Sequence, residues 1–155
     1  MKKYFVVVLS IMVFISCNSS DESKNSDTVK DNEVIISKYI NERPQIIREF
    51  EEKDGVRIYV YEKEYYEDGN LLKEGALKDN KRHGIWKSYY RDGTKWSEGE
   101  FINGKMEGST TTYYSNGQIR YTGSFENGLK SGEWRFYDEN GELLEIQFFQ
   151  PEPIE

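Results

Sequence analysis

The stretch Tyr89-Tyr90-Arg91-Asp92-Gly93 reads as the tip of a β-hairpin, and it recurs along the chain. Tyr65-Tyr66-Glu67-Asp68-Gly69 stands 24 residues before it, and Tyr113-Tyr114-Ser115-Asn116-Gly117 stands 24 after it. Tyr137-Asp138-Glu139-Asn140-Gly141 continues the same step. Other columns keep the period: Gly75, Gly99 and Gly123; Gly84, Gly108 and Gly132; Leu77, Phe101 and Phe125; Trp86 and Trp134. Self-similarity at a fixed step means that each segment is one supersecondary unit. Such a unit buries its apolar face only with help from its neighbours.

Asp-Gly or Asn-Gly between two alternating runs predicts a hairpin, because a type I′ turn needs positive φ at both central residues. Asn103-Gly104 and Asn127-Gly128 mark a second turn between units. Strands then alternate with turns about every dozen residues. The expected fold is all-β, an elongated antiparallel meander of repeated hairpins. With two-residue loops at Asp92-Gly93 and its equivalents, Tyr90 faces Lys95, Tyr89 faces Trp96, and Lys87 faces Glu98. This alternation predicts a core face carrying Leu71, Leu77, Trp86, Tyr90, Phe101, Ile119, Tyr121, Phe125, Trp134, Phe136 and Leu143. Gly99 is expected opposite Trp86, where the missing side chain leaves room for the indole. The other face carries the column Tyr65, Tyr89, Tyr113 and Tyr137, with charges between. A loop longer by one residue would swap the faces of one strand in each pair.

The pattern resembles the MORN repeat family, in the variant found in bacterial lipoproteins. Its motif runs Y-Y-x-N-G-x-x-x-x-x-G, then N-G-K-x-x-G-x-W. Here it reads YYEDGNLLKEG, DNKRHGIW, YYRDGTKWSEG, INGKMEGST, YYSNGQIRYTG and ENGLKSGEW, from Tyr65 to about Phe149. Three positions depart from it. Asn80 replaces a turn glycine, Thr110 replaces the tryptophan, and Gln147 replaces a strand glycine. The resemblance implies a curved sheet used as a membrane-proximal or protein-interaction module. Some bacterial relatives carry an antitoxin label.

The segment 34–64 precedes this register. Asp54-Gly55 signals a hairpin between IIREFEEK and VRIYVYEKE, setting Glu52 against Arg57 and Phe50 against Tyr59. It reads as an N-terminal cap or as a decayed unit with a shifted turn. Val34–Ile40 suits a short helix or a strand. Pro44 ends it, and Pro151 and Pro153 stop pairing at the other end.

The first residues read as an export leader. Lys2-Lys3 and the apolar run Tyr4–Ser16 are too short to span a bilayer but suit a signal peptide. Phe14-Ile15-Ser16-Cys17 resembles the lipobox of bacterial lipoproteins, with Phe14 where leucine is usual. That resemblance implies cleavage after residue 16, lipidation of Cys17 and anchoring in a membrane. Two or more acyl chains make such anchoring durable. Residues 17–33 are then a lipidated cysteine and a polar, disordered tether, and residues 65–155 hold the repeats. Asn18, where inner-membrane lipoproteins carry Asp, points to the outer membrane. Ser20-Asp21-Glu22 resembles a surface-export signal.

Composition narrows the function. Charged residues make up 32% of the chain and aromatics 15%, which suits a thin sheet better than a deep core or a disordered chain. The net charge of −7, with no basic stripe, argues against nucleic acid. The single cysteine excludes an internal disulfide. His83 is expected in a solvated turn. No metal-ligand spacing, nucleophile elbow or phosphate loop is present in the sequence, so neither cofactor nor metal is expected. The expectation is a protein without enzymatic activity. Its candidate contact surface is Tyr65, Tyr89, Tyr113 and Tyr137 with Trp96, facing a protein or glycan at the cell envelope. The same tyrosines also read as a cross-strand ladder holding the sheet together. Two other functions stay open: a structural envelope lipoprotein without a ligand, and an antitoxin or immunity role by family analogy.

Overall fold

A computed structural model describes residues 30–151. Ten strands run in chain order through one antiparallel sheet: β1 (Glu33–Lys38), β2 (Pro44–Lys53), β3 (Val56–Tyr65), β4 (Leu71–Lys78), β5 (Lys81–Tyr89), β6 (Lys95–Ile102), β7 (Lys105–Tyr113), β8 (Ile119–Glu126), β9 (Leu129–Tyr137) and β10 (Leu143–Phe149). The expected meander of hairpins is the fold. Of the segment 34–40, Val34–Lys38 lies in strand β1, and Tyr39 and Ile40 enter the turn after it. Phe50 pairs with Tyr59 and Glu52 with Arg57, as the Asp54-Gly55 signal predicts. His83 lies within β5, not in a turn.

Two kinds of turn alternate, and only one is the expected type. At Asn103-Gly104 both residues have positive φ, 52° and 86°, and Ile102 pairs directly with Lys105. That is the two-residue turn of type I′. At Tyr90–Thr94 only Gly93 has positive φ, and the loop holds five residues. Tyr90 N–H donates to Thr94 O at 2.8 Å, and Gly93 N–H donates to Tyr90 O at 3.0 Å. Asp92 contributes through its side chain, whose Oδ1 accepts from Thr94 N–H at 2.9 Å. The aspartate is there to cap its own turn, a second use of Asp at such sites.

This longer loop corrects the expected register. Tyr89 pairs with Lys95 and Ser88 with Ser97, so Trp96 is the extra residue of a β-bulge. Equivalent bulges fall at Leu72, Arg120 and Leu144. A bulge reverses the alternation on its far side. Leu71, Ile119 and Leu143, expected on the core face, therefore lie opposite Tyr65, Tyr113 and Tyr137. Tyr90 leaves the core face for the turn. Past the bulge the register is as expected, with Lys87 opposite Glu98 and Trp86 opposite Gly99.

The core is one row on the tryptophan face. Trp134 is 1% exposed, Trp86 is 4% exposed, and Leu77, Thr110 and Thr112 are buried beside them. The glycine that makes room for an indole lies on the strand before the tryptophan. A Cβ on Gly75 would sit 2.5 Å from ring carbons of Trp86, and one on Gly123 would clash with the ring carbons of Trp134 in the same way. Gly99, expected to serve Trp86, instead lies under Thr110 and Met106. Arg82 and Lys130 close the outer side of the two indoles, 4.4 and 4.3 Å from the ring centres.

The first hairpin repeats the plan with a different period. Tyr39 N–H donates to Arg43 O and Glu42 N–H donates to Tyr39 O, as in the longer turns downstream. Glu42, with φ of 66°, takes the glycine position. Tyr39 precedes Tyr66 by 27 residues because β2 and β3 hold 10 residues each. Residues 34–64 thus carry a unit with a shifted turn that also ends the sheet. At its tryptophan position stands Glu62, buried, with Arg48 Nε and Nη2 both 2.7 Å from one carboxylate oxygen.

Candidate functional site

The structure brings the four candidate tyrosines into one row. Tyr65, Tyr89, Tyr113 and Tyr137 end β3, β5, β7 and β9 on the face away from the tryptophans. Alternate strands put successive rings about 10 Å apart. Their partners Leu71, Lys95, Ile119 and Leu143 fill the gaps. The result is a mixed ribbon of aromatic and aliphatic side chains along one end of the sheet. Trp96 is 43% exposed and packs against Tyr90, 6.5 Å between ring centres. Cys17 lies outside the described residues.

The row is tied into the sheet through its backbone and two of its hydroxyls. Tyr66 OH donates to Tyr89 O at 2.9 Å, Tyr90 OH to Tyr113 O at 2.8 Å, and Tyr114 OH to Tyr137 O at 2.8 Å. Tyr39 OH reaches Tyr65 O in the same way. The second tyrosine of each unit thus staples the first tyrosine of the next. Sequence reading weighed the first tyrosine of each pair as a contact, placed Tyr90 on the core face, and missed the hydrogen bond that the second tyrosine makes. The signal was present, since a doubled tyrosine at three of the longer turns asks for two separate roles.

Hydroxyls of the first tyrosines find carboxylates. Tyr89 OH donates to Glu74 at 2.8 Å and Tyr113 OH to Glu98 at 3.1 Å. Burial, then the hydrogen bond to Glu74 and its charge, push the Tyr89 phenol up to about 12. Tyr113 is raised by burial and by Glu98. Glu98 is itself held below its ordinary range, first by the Lys95 ammonium 2.9 Å away.

The same face carries a charge cluster in the first unit. Lys63 Nζ lies 2.6 Å from Glu49 and 3.1 Å from Glu33, tying β3 to β2 and β1. Burial opposes the Lys63 charge, but the two carboxylates outweigh it and raise the ammonium. Burial likewise opposes the Glu33 charge, yet Lys30 N–H and Lys63 leave this carboxylate lowered. Sequence reasoning missed this cluster, because three strands must pair before its members meet. Among the described residues no group of three or more His, Cys, Asp and Glu side chains could hold a metal.

An open sheet of stacked hairpins, each touching only its neighbours, defines a repeat protein whose surface is its product. The chain matches the MORN repeat variant over residues 54–79, 82–103, 106–127 and 130–150, and it belongs to that family. Each matched segment spans one five-residue-turn hairpin, and the first also takes in the Asp54-Gly55 turn. Repeats of this family are generally interaction modules. No curated protein matches the chain significantly.

Proposed function

We propose that this chain is a lipid-anchored interaction module of the bacterial cell envelope, without catalysis, tethered through Cys17. The reading places it in the outer membrane, facing either the periplasm or the cell surface. Its contact surface is the tyrosine row with Trp96, and its partner is a protein or a glycan. The observation that carries this reading is the ribbon of Tyr113, Ile119 and Leu143 with the half-exposed Trp96 beside it. Aromatic anchors flanked by aliphatic groups are what a binding surface uses.

A second reading has its own support. The tyrosine hydroxyls and carbonyls are already engaged within the sheet. That favours a structural envelope lipoprotein with no ligand. A photo-crosslinker placed at Trp96 in intact cells separates the two. A saturable adduct supports the module, and none at any expression level supports the structural reading. Incorporation of labelled palmitate, lost in Cys17→Ala, tests the anchor separately.

A further inference from the structure

The two edges of the sheet are built differently. β1 is interrupted by irregularities at Ile35–Ser37 and Ser37–Lys38, and charged Glu33 and Lys38 stand at its ends. Breaks and charges are how proteins blunt an edge that would otherwise pair with another chain. β10 carries a single bulge, at Leu144, and a single charge, Glu145, and its last five residues keep a regular register with β9. Leu144 is 65% exposed, Ile146 is 43% exposed and Phe148 is 75% exposed. Among the described residues nothing pairs with its outer side.

The order of residues in β10 matches itself when reversed. In an antiparallel pair centred on Ile146, Ile146 meets its own copy and Phe148 comes opposite Leu144, the residue of the bulge. On the opposite face Glu145 meets Gln147. Within one chain Gln147 Nε2 already donates to Glu145 at 2.9 Å, so the two share that face. No like charges are opposed, although the chain as a whole carries −7. Pro151, with no N–H to give, bounds the pairing.

We propose that two copies of this chain associate through β10, edge to edge and antiparallel, to make one continuous sheet about a two-fold axis. The contact is isologous, so it closes at a dimer. Continuation through the blunted β1 edge would instead give an open filament. The proposal does not depend on the anchor or on the contact surface proposed above.

The test is sedimentation of the full chain over a range of concentrations up to about 1 mM, since so short an interface is expected to dissociate on dilution. The expected result is a rise in mass to twice that of the monomer and no further. Ile146→Lys should return the mass to that of the monomer while the circular dichroism and thermal transition stay in place. Register is tested separately in a Cys17→Ser background. Ile146→Cys should give a crosslinked dimer on oxidation, because directly opposed strand residues lie within disulfide reach. Gln147→Cys, opposed by Glu145, should crosslink much more slowly. A monomer at every concentration, a mass that climbs past two, or a dimer that survives Ile146→Lys would each overturn the proposal. Equal crosslinking at 146 and 147 would overturn the register.

Discussion

Two junctions between hairpins solve the same packing problem in different ways. Where β8 meets β9, Trp134 lies over Gly123 with Lys130 closing its outer side. Where β6 meets β7, Thr110 lies over Gly99, and Met106 takes the position of the lysine. The small residue is kept below although the large one above has gone. Met106 fills part of the gap, and Thr110 donates its hydroxyl to Glu98 O at 3.1 Å. Where β2 meets β3 the same position holds an ion pair, half-buried Arg48 with buried Glu62. The repeat therefore conserves backbone geometry and turn chemistry, and it tolerates three unlike fillings of one layer. Each filling needs its own partner, which is why cation, methionine and arginine change together with the residue they cover.

The largest test of this contrast removes the filling. Trp134→Ala should destabilise the chain by about 3–5 kcal/mol, the usual loss for a large buried aromatic. Thr110→Ala at the equivalent position should lose only about 1 kcal/mol, mainly its hydrogen bond. Chemical denaturation of both variants would measure the difference, and equal losses would sink the idea that the junctions differ. The next test fills the floor of the layer. Gly123→Ala should destabilise by about 1–3 kcal/mol, since its Cβ would clash with the ring carbons of Trp134. Gly99→Ala should lose under ~1 kcal/mol, because the nearest atom, 3.1 Å away, is the flexible end of Met106.

Smaller effects test the staples that all junctions share. Tyr90→Phe and Tyr114→Phe each remove one hydroxyl aimed at a carbonyl of the next unit. Each should lower stability by about 1 kcal/mol, whichever filling its junction uses. A loss confined to one of them would show that the staples depend on the layer.

The last effect is seen only in alkali. Tyr61 and Tyr89 are both pushed up to about 12, by burial first and then by Glu74 between them. The fold favours the neutral phenol. Its contribution is complete below about pH 10, where an unfolded tyrosine titrates, and is lost as pH rises toward about 12. Denaturation curves across that window should show stability falling. Glu74→Gln should flatten the fall, and an unchanged slope would remove Glu74 as a cause.

Much of the fold was legible because turn residues act locally. Asp54-Gly55 located a hairpin and its register, since Phe50, Glu52, Arg57 and Tyr59 pair within a few residues of the turn. Asp92-Gly93 located a hairpin but misjudged its loop. Aspartate serves a type I′ turn through its own φ, and a longer loop through its carboxylate, and the letters are the same for both. The tyrosine row was legible as a row, because its members recur at one period. Its hydrogen bonds were not, since Tyr90 and the Tyr113 carbonyl come together only after two turns are closed.

Sequence alone determined the period, the positions of the turns from Asp54-Gly55 onward, the order of the strands that they join and the class of repeat. All of these follow from residues whose backbone preferences act over four or five positions. Tertiary structure alone decided which residues beside the longer turns share a face, because a single bulge residue such as Trp96 reverses the alternation there. It also decided which glycine lies under which indole, and that Glu62 is neutralised by Arg48. Those choices depend on the strand beside each residue, and a neighbour across a sheet is set by register rather than by nearness in the chain.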